Sequence, residues 1–189
     1  IKGTKTKLAL TCDGNGRYCY IDPRVGGAIA VAEACRNLST VGAKPVAITD
    51  CLNFGNPEEN DVYYQLEKCI EGIVDACKIF DIPVISGNVS LYNQTNEGNI
   101  YPTPIIGALG LIEDDIAPVS SGFKSPGDIV YLLGTSSLST DIGTLSGSEW
   151  AYIDQELVAG KIHIDLQLEK KVQNICRELN KIGIIESAH

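Results

Sequence analysis

A domain that interleaves strands with helices, in the order β-β-α-β-α-β-β, is the fold the sequence predicts for residues 1–117, and three observations predict it. Residues 45–52 and 104–112 are continuous apolar runs with the length and composition of buried strands. Between 26 and 41, and again between 59 and 80, apolar residues recur every three or four positions, as on one face of a helix. Clusters of Gly, Asn, Asp and Pro separate these segments and read as turns.

Taken in order, the β-rich runs 8–12 and 18–21 flank Asp13-Gly14-Asn15-Gly16, a turn signal that predicts a hairpin. The first helix carries Ala28, Ile29, Ala32, Cys35, Arg36 and Leu38 at helical spacing, with Gly42 where a left-handed cap is expected. Strand 45–52 ends at its polar residues and leads into the turn Asn53-Phe54-Gly55-Asn56-Pro57. The second helix, 59–80, is expected to bury Val62, Leu66, Ile70, Ile73, Val74 and Cys77. A short buried strand at 83–85 is followed by the loop Ser86-Gly87-Asn88-Val89-Ser90, and the last strand is 104–112. The apolar run stops at Glu113-Asp114-Asp115, which places a domain boundary near 117. Beyond it the sequence predicts a strand at 129–133, a Gly/Ser/Thr-rich loop at 134–148, a short helix at 149–157 and a long amphipathic helix at 165–182. The apolar pair Ile184-Ile185 then runs to His189 without a stop signal, and the chain opens without Met. Residues 118–189 therefore read as the start of a truncated second domain, and the chain as an excerpt.

Composition narrows the function classes. Of the 189 residues 44% are apolar and 21% charged, and no apolar run approaches the ~18 residues of a membrane helix. The net charge of −9 opposes a nucleic-acid partner, which requires a basic face, but leaves phosphorylated metabolites open, because backbone N–H groups and Mg2+ neutralise phosphate locally. The seven Cys residues form no C-x-x-C pair and read as small buried hydrophobes kept reduced in a cytoplasm. His163 and His189 have no visible nucleophile partner.

Three constellations could carry chemistry. Gly87 in Ser86-Gly87-Asn88-Val89-Ser90 would let backbone N–H groups approach a phosphate, with polar side chains in reach of a metal; an ordinary strand-to-loop turn is the alternative. Asp50 lies at the carboxyl end of a strand, where ligands gather in open α/β sheets and where it could bond a nucleotide or help hold Mg2+, although Asp50 and Asn53 could equally serve a turn or a cap. Glu33 and Asn37 project from one helix face and could join Asp13 as oxygen ligands for a nucleotide-bound Mg2+, or Glu33 could be a buried, paired carboxylate.

Together the strings Asp13-Gly-Asn-Gly-Arg17-Tyr18, Ala32-Glu33-Ala34-Cys35-Arg36-Asn37, Thr49-Asp50-Cys51-Leu52-Asn53-Phe54-Gly55-Asn56-Pro57-Glu58, Ser86-Gly87-Asn88-Val89-Ser90-Leu91-Tyr92-Asn93 and Pro102-Thr103-Pro104-Ile105-Ile106-Gly107 closely resemble the phosphoribosylformylglycinamidine synthase family, within the aminoimidazole ribonucleotide synthetase superfamily. The resemblance implies an α+β fold: an N-terminal-type domain, second copy, over 1–117, with a mixed sheet, helices on one face and sheet pairing to another copy, followed by a truncated C-terminal-type α/β domain over 118–189. It implies an ATP-dependent C–N ligase of purine biosynthesis that joins ammonia to formylglycinamide ribonucleotide. By motif, Asp50 and Gly87 match ATP contacts, Asn88 a Mg2+ ligand, and Ser90 a substrate contact. Asp13, Glu33 and Asn37 match a second, pseudo-symmetric nucleotide-metal site of larger family members, for which a further carboxylate is expected beyond His189. The family's catalytic His residues belong to the other half, so this fragment is expected to be inactive alone and to need the remainder of its chain. A glutaminase subunit or domain and a small accessory subunit are the further implied partners. As an isolated fragment it is expected to form a homodimer. The competing reading is a non-catalytic dimerisation half with a bound nucleotide.

Overall fold

The computed structural model describes residues 1–134 and 141–189, so part of the predicted 134–148 loop lies outside the described residues. The elements are β1 (Lys7–Asp13), α1 (Gly16–Ile21), α2 (Pro23–Thr40), β2 (Lys44–Asn53), α3 (Asn60–Phe80), β3 (Val84–Ser90), the two-residue strands β4 (Gln94–Thr95) and β5 (Gly98–Asn99), β6 (Thr103–Ile112), α4 (Glu149–Gln155) and α5 (Leu166–Lys181). Four strands form one mixed sheet in the order β1-β6-β2-β3, in which β6 runs antiparallel to β1 and β2, and β2 runs parallel to β3.

The predicted opening hairpin does not form. The turn residue Asn15 instead caps α1, its side chain accepting from the backbone N–H of Arg17 and Tyr18, and β1 finds its partner in β6, far along the chain. The following helix starts three residues earlier than its apolar pattern, because Asp22 caps it and Pro23 sits at its first position. It ends as expected at Gly42, whose φ of +85° allows the paired bonds Gly42 N–H to Ser39 O and Ala43 N–H to Leu38 O.

Helix α2 is buried on nearly every side, between the sheet, α3 and α5. Helix α3 approaches it closely through Gly72, where an added Cβ would meet the Arg24 carbonyl and lie 2.8 Å from its carbon. This contact rotates the buried stripe of α3 onto Val62, Cys69, Gly72, Ile73 and Ala76 and leaves the expected core residues Ile70 and Val74 partly exposed. Small residues won the interface because close backbone approach needs them. The core includes Leu38, Ile48, Phe54 and Ile106.

The other sheet face differs. Along β1 and β6 burial alternates strictly, and Leu8 and Leu10 on the uncovered face are 54% and 78% exposed. The cysteines follow the same division: Cys19, Cys35, Cys69 and Cys176 are buried as expected, while Cys12 is exposed beside Leu10.

Two further expectations are corrected. Strand 83–85 was expected to be buried and followed by a loop, but β3 continues through Ser86–Ser90 as an exposed edge strand, since the polar string pairs with β2 on one side only. Residues 129–133 form no strand: Ile129, Val130, Tyr131 and Leu132 are more than 70% exposed, with no neighbouring strand among the described residues to pair with. Helix α5 does form as predicted and packs on α2, where Gln173 Nε2 donates to Ala32 O at 3.1 Å and Asn180 Nδ2 to Ser39 O at 3.2 Å. Arg17 ties α1 to α4 by pairing with Glu149 and lying over the Tyr152 ring at 4.9 Å.

Candidate functional site at the sheet edge

The parallel pairing of β2 with β3 sets Asp50 opposite Gly87, Cys51 opposite Asn88 and Asn53 opposite Ser90. Asp50 shares its register position with Ile106 of the core and so faces the helices. Its carboxylate lies across Gly87: a Cβ built there would stand 2.7 Å from Asp50 Cγ and 3.0 Å from Oδ2. Glycine at 87 thus leaves the Asp50 carboxylate the space it occupies. Among the described residues the Asp50 carboxylate makes no hydrogen bond or ion pair, and burial raises its pKa. Burial, with the Asp50 charge second, pushes the Cys77 thiol up to about 11. A partly desolvated, unpartnered carboxylate beside the edge strand is chemically ready to accept from a ligand N–H or O–H, or to face a cation.

Strand alternation sends Asn88 and Ser90 to the opposite face, where the neighbouring Ser86 Oγ donates to Thr49 Oγ1 at 2.7 Å. The four motif residues therefore form two pairs, one on each face, rather than one convergent cluster. Because β3 is the sheet edge, both pairs open to the same rim.

The motif strings around them build a scaffold. The Phe54 N–H donates to Ser90 O at 3.0 Å, Tyr92 N–H to Gly55 O at 2.8 Å and Asn93 N–H to Phe54 O at 3.2 Å. Asn99 closes the other side: its Oδ1 accepts from the Asn56 N–H at 2.9 Å and its Nδ2 donates to Glu59 Oε2 at 2.8 Å. Asn53 takes the structural alternative, its amide donating to Cys51 O at 3.0 Å and Thr103 O at 3.2 Å. Asn93 and Asn99 were not singled out by the sequence reading. Asn93 belongs to a diagnostic string, whereas Asn99, across a hairpin too short to show periodicity, gave no signal.

Asp13, Glu33 and Asn37 do come together. Asn37 Nδ2 donates to Asp13 Oδ1 at 2.8 Å and Thr11 Oγ1 to Asp13 Oδ2 at 2.8 Å. Burial first, and the charge of Asp13 second, raise the pKa of Glu33, while Arg36 is drawn to Glu169 of α5 by bonds of 3.2 and 3.0 Å. No group of three or more His, Cys, Asp or Glu that could hold a metal ion occurs among the described residues. Magnesium takes about six oxygens; Asn88, with hydroxyls as its polar neighbours on that face, would supply one of them.

Residues 1–112 match the family described as AIR synthase related protein, N-terminal domain. The phosphoribosylformylglycinamidine synthase subunit PurL of Thermoanaerobacter sp. is 51% identical over the whole chain, which spans 25% of that relative's length. The structure of T. maritima PurL complexed with ADP is 36% identical, with a TM-score of 0.53, over 57% of this chain and 18% of that one. T. maritima PurL complexed with FGAR has a TM-score of 0.75 over 97% of this chain and 29% of that one; at 22% identity it shows the shared fold.

Proposed function

Because the chain belongs to the AIR synthase related proteins through its N-terminal domain, we propose that it is a segment of a longer, cytoplasmic, ATP-dependent ligase of purine biosynthesis. The reaction converts formylglycinamide ribonucleotide, ammonia and ATP to formylglycinamidine ribonucleotide, ADP and phosphate. ATP transfers its γ-phosphoryl group to the substrate amide oxygen, and ammonia then displaces phosphate at that carbon. The observation that carries the reading is the unpartnered Asp50 carboxylate across Gly87 of the edge strand, in a chain that is 51% identical along its length to a quarter of a PurL subunit.

In this reading Asp50 accepts from the nucleotide and Gly87 leaves room for it, Asn88 lends one oxygen to the ATP-borne Mg2+, and Ser90 contacts the ribonucleotide. Residues 1–117 form the N-terminal-type domain, and 118–189 begin a C-terminal-type domain completed by the rest of the chain. A glutaminase subunit or domain supplies the ammonia, and a small accessory subunit is a further partner. The second reading is a non-catalytic structural half that mainly offers a pairing sheet and holds a bound nucleotide; the exposed Leu8 and Leu10 on the uncovered face suit the sheet pairing, and the homodimer of the isolated fragment, that both readings expect. The two separate in the full-length synthetase. Asn88→Ala should lower the rate while thermal stability is kept; unchanged turnover with lowered stability would sink the ligase-site reading in favour of the structural one.

A further inference from the structure

We infer that Asn93 is a positioning residue that holds the Ser90 hydroxyl for the substrate. The inference rests on reading Ser90 as a substrate contact. Tyr92, with φ of +59°, turns the chain so that the Asn93 side chain folds back on the residue three before it. Its Nδ2 has two protons and three acceptors in reach: Phe54 O at 3.0 Å, Ser90 O at 3.0 Å and Ser90 Oγ at 3.1 Å. The two carbonyls can only accept, so they fix the amine end and take both protons. Asn93 Oδ1 then accepts from Ser90 Oγ at 3.2 Å. The hydroxyl proton is committed inward, and the lone pairs of Ser90 Oγ face the ligand. Ser90 thereby meets an N–H or O–H of the ribonucleotide, not a phosphate oxygen.

The same amide reaches Phe54 O across the turn, so one side chain registers the 53–58 turn against the end of β3. This is why a residue outside the rim can set the geometry of one on it.

The test is a double-mutant cycle in the full-length synthetase, supplied with ammonium as nitrogen donor, with the melting temperature of each variant recorded. Ser90→Ala should raise KM for formylglycinamide ribonucleotide by about three- to tenfold, the loss of one neutral hydrogen bond. Asn93→Ala should raise it similarly, and the double variant should add nothing further. KM for ATP should stay put, a split that a general loss of structure would not produce. If Asn93→Ala leaves the ribonucleotide KM unchanged while Ser90→Ala raises it, or if the two effects add, the positioning role is wrong. If Ser90→Ala itself has no effect, the substrate reading of Ser90 fails and takes this inference with it. Inhibition by inorganic phosphate should be equal in wild type and Ser90→Ala; weaker inhibition in the variant would overturn the assigned polarity.

Discussion

Replacing Gly87 by Ala places one methyl group where the Asp50 carboxylate now lies. The new carbon would stand 2.7 Å from Asp50 Cγ and 3.0 Å from Oδ2, whereas carbon contacts settle at about 3.5–4.0 Å. The carboxylate must therefore swing by roughly 1 Å, at the ~0.5–1.5 kcal/mol of an off-rotamer side chain. Removing a glycine from a strand returns about 0.5–1 kcal/mol, so the fold should be nearly indifferent, with a melting shift of at most a few degrees. Binding should not be indifferent. A hydrogen bond to a charged group contributes about 1.5–3 kcal/mol, so a displaced Asp50 should weaken ATP by roughly one to two orders of magnitude. Equilibrium titration of the full-length polypeptide with ATP, alongside differential scanning fluorimetry, reads both quantities. Unaltered ATP affinity in Gly87→Ala, with affinity reduced in Asp50→Asn, would refute the coupling between the two residues. A melting loss beyond about 8 °C would mean that the methyl strikes backbone and not a movable side chain.

Gly72→Ala sets a carbon against the backbone carbonyl of Arg24, which cannot swing aside, so α2 and α3 must part; a loss of about 1–3 kcal/mol is expected in urea titration, and wild-type stability would show that the helices slide freely. Asp50 holds its proton more tightly folded than unfolded, so the stability it contributes is present below the ordinary carboxylate range and is lost as pH rises through its raised value. Asp50→Asn should therefore melt higher than wild type near pH 7 and alike near about pH 3; a lower melting temperature at pH 7 would show that the ionised carboxylate is stabilised by a partner.

What the sequence revealed tracks what is local. Helix α3 and strands β2 and β6 were legible because their periodicity and apolar runs are set within a few residues. The helix α1 was misread because Tyr18, Cys19, Tyr20 and Ile21 favour strands, while the deciding contact, the cap from Asn15, looks the same in sequence as a hairpin turn. The extent of β3 was missed because Ser86, Gly87, Asn88 and Ser90 are turn residues by composition and owe their extended form to β2. The same gap hid the division of the rim: only the register shows that Asp50 and Asn88 stand on opposite faces. The motif strings named the residues without saying that Asn93 and Phe54 bind the two strings to each other.

The pairing of β1 with β6 also sets a schedule. Lys7 lies opposite Ile112, so β1 has no strand partner until about 100 more residues have been added, some 5–20 s at ordinary rates of synthesis. During that interval Leu8 and Leu10 travel on an unpaired strand, and helix α2 waits still longer for the α5 that roofs it. Folding of this segment thus waits on slow, long-range closure, and a chaperone acting during synthesis would find the nascent β1 open.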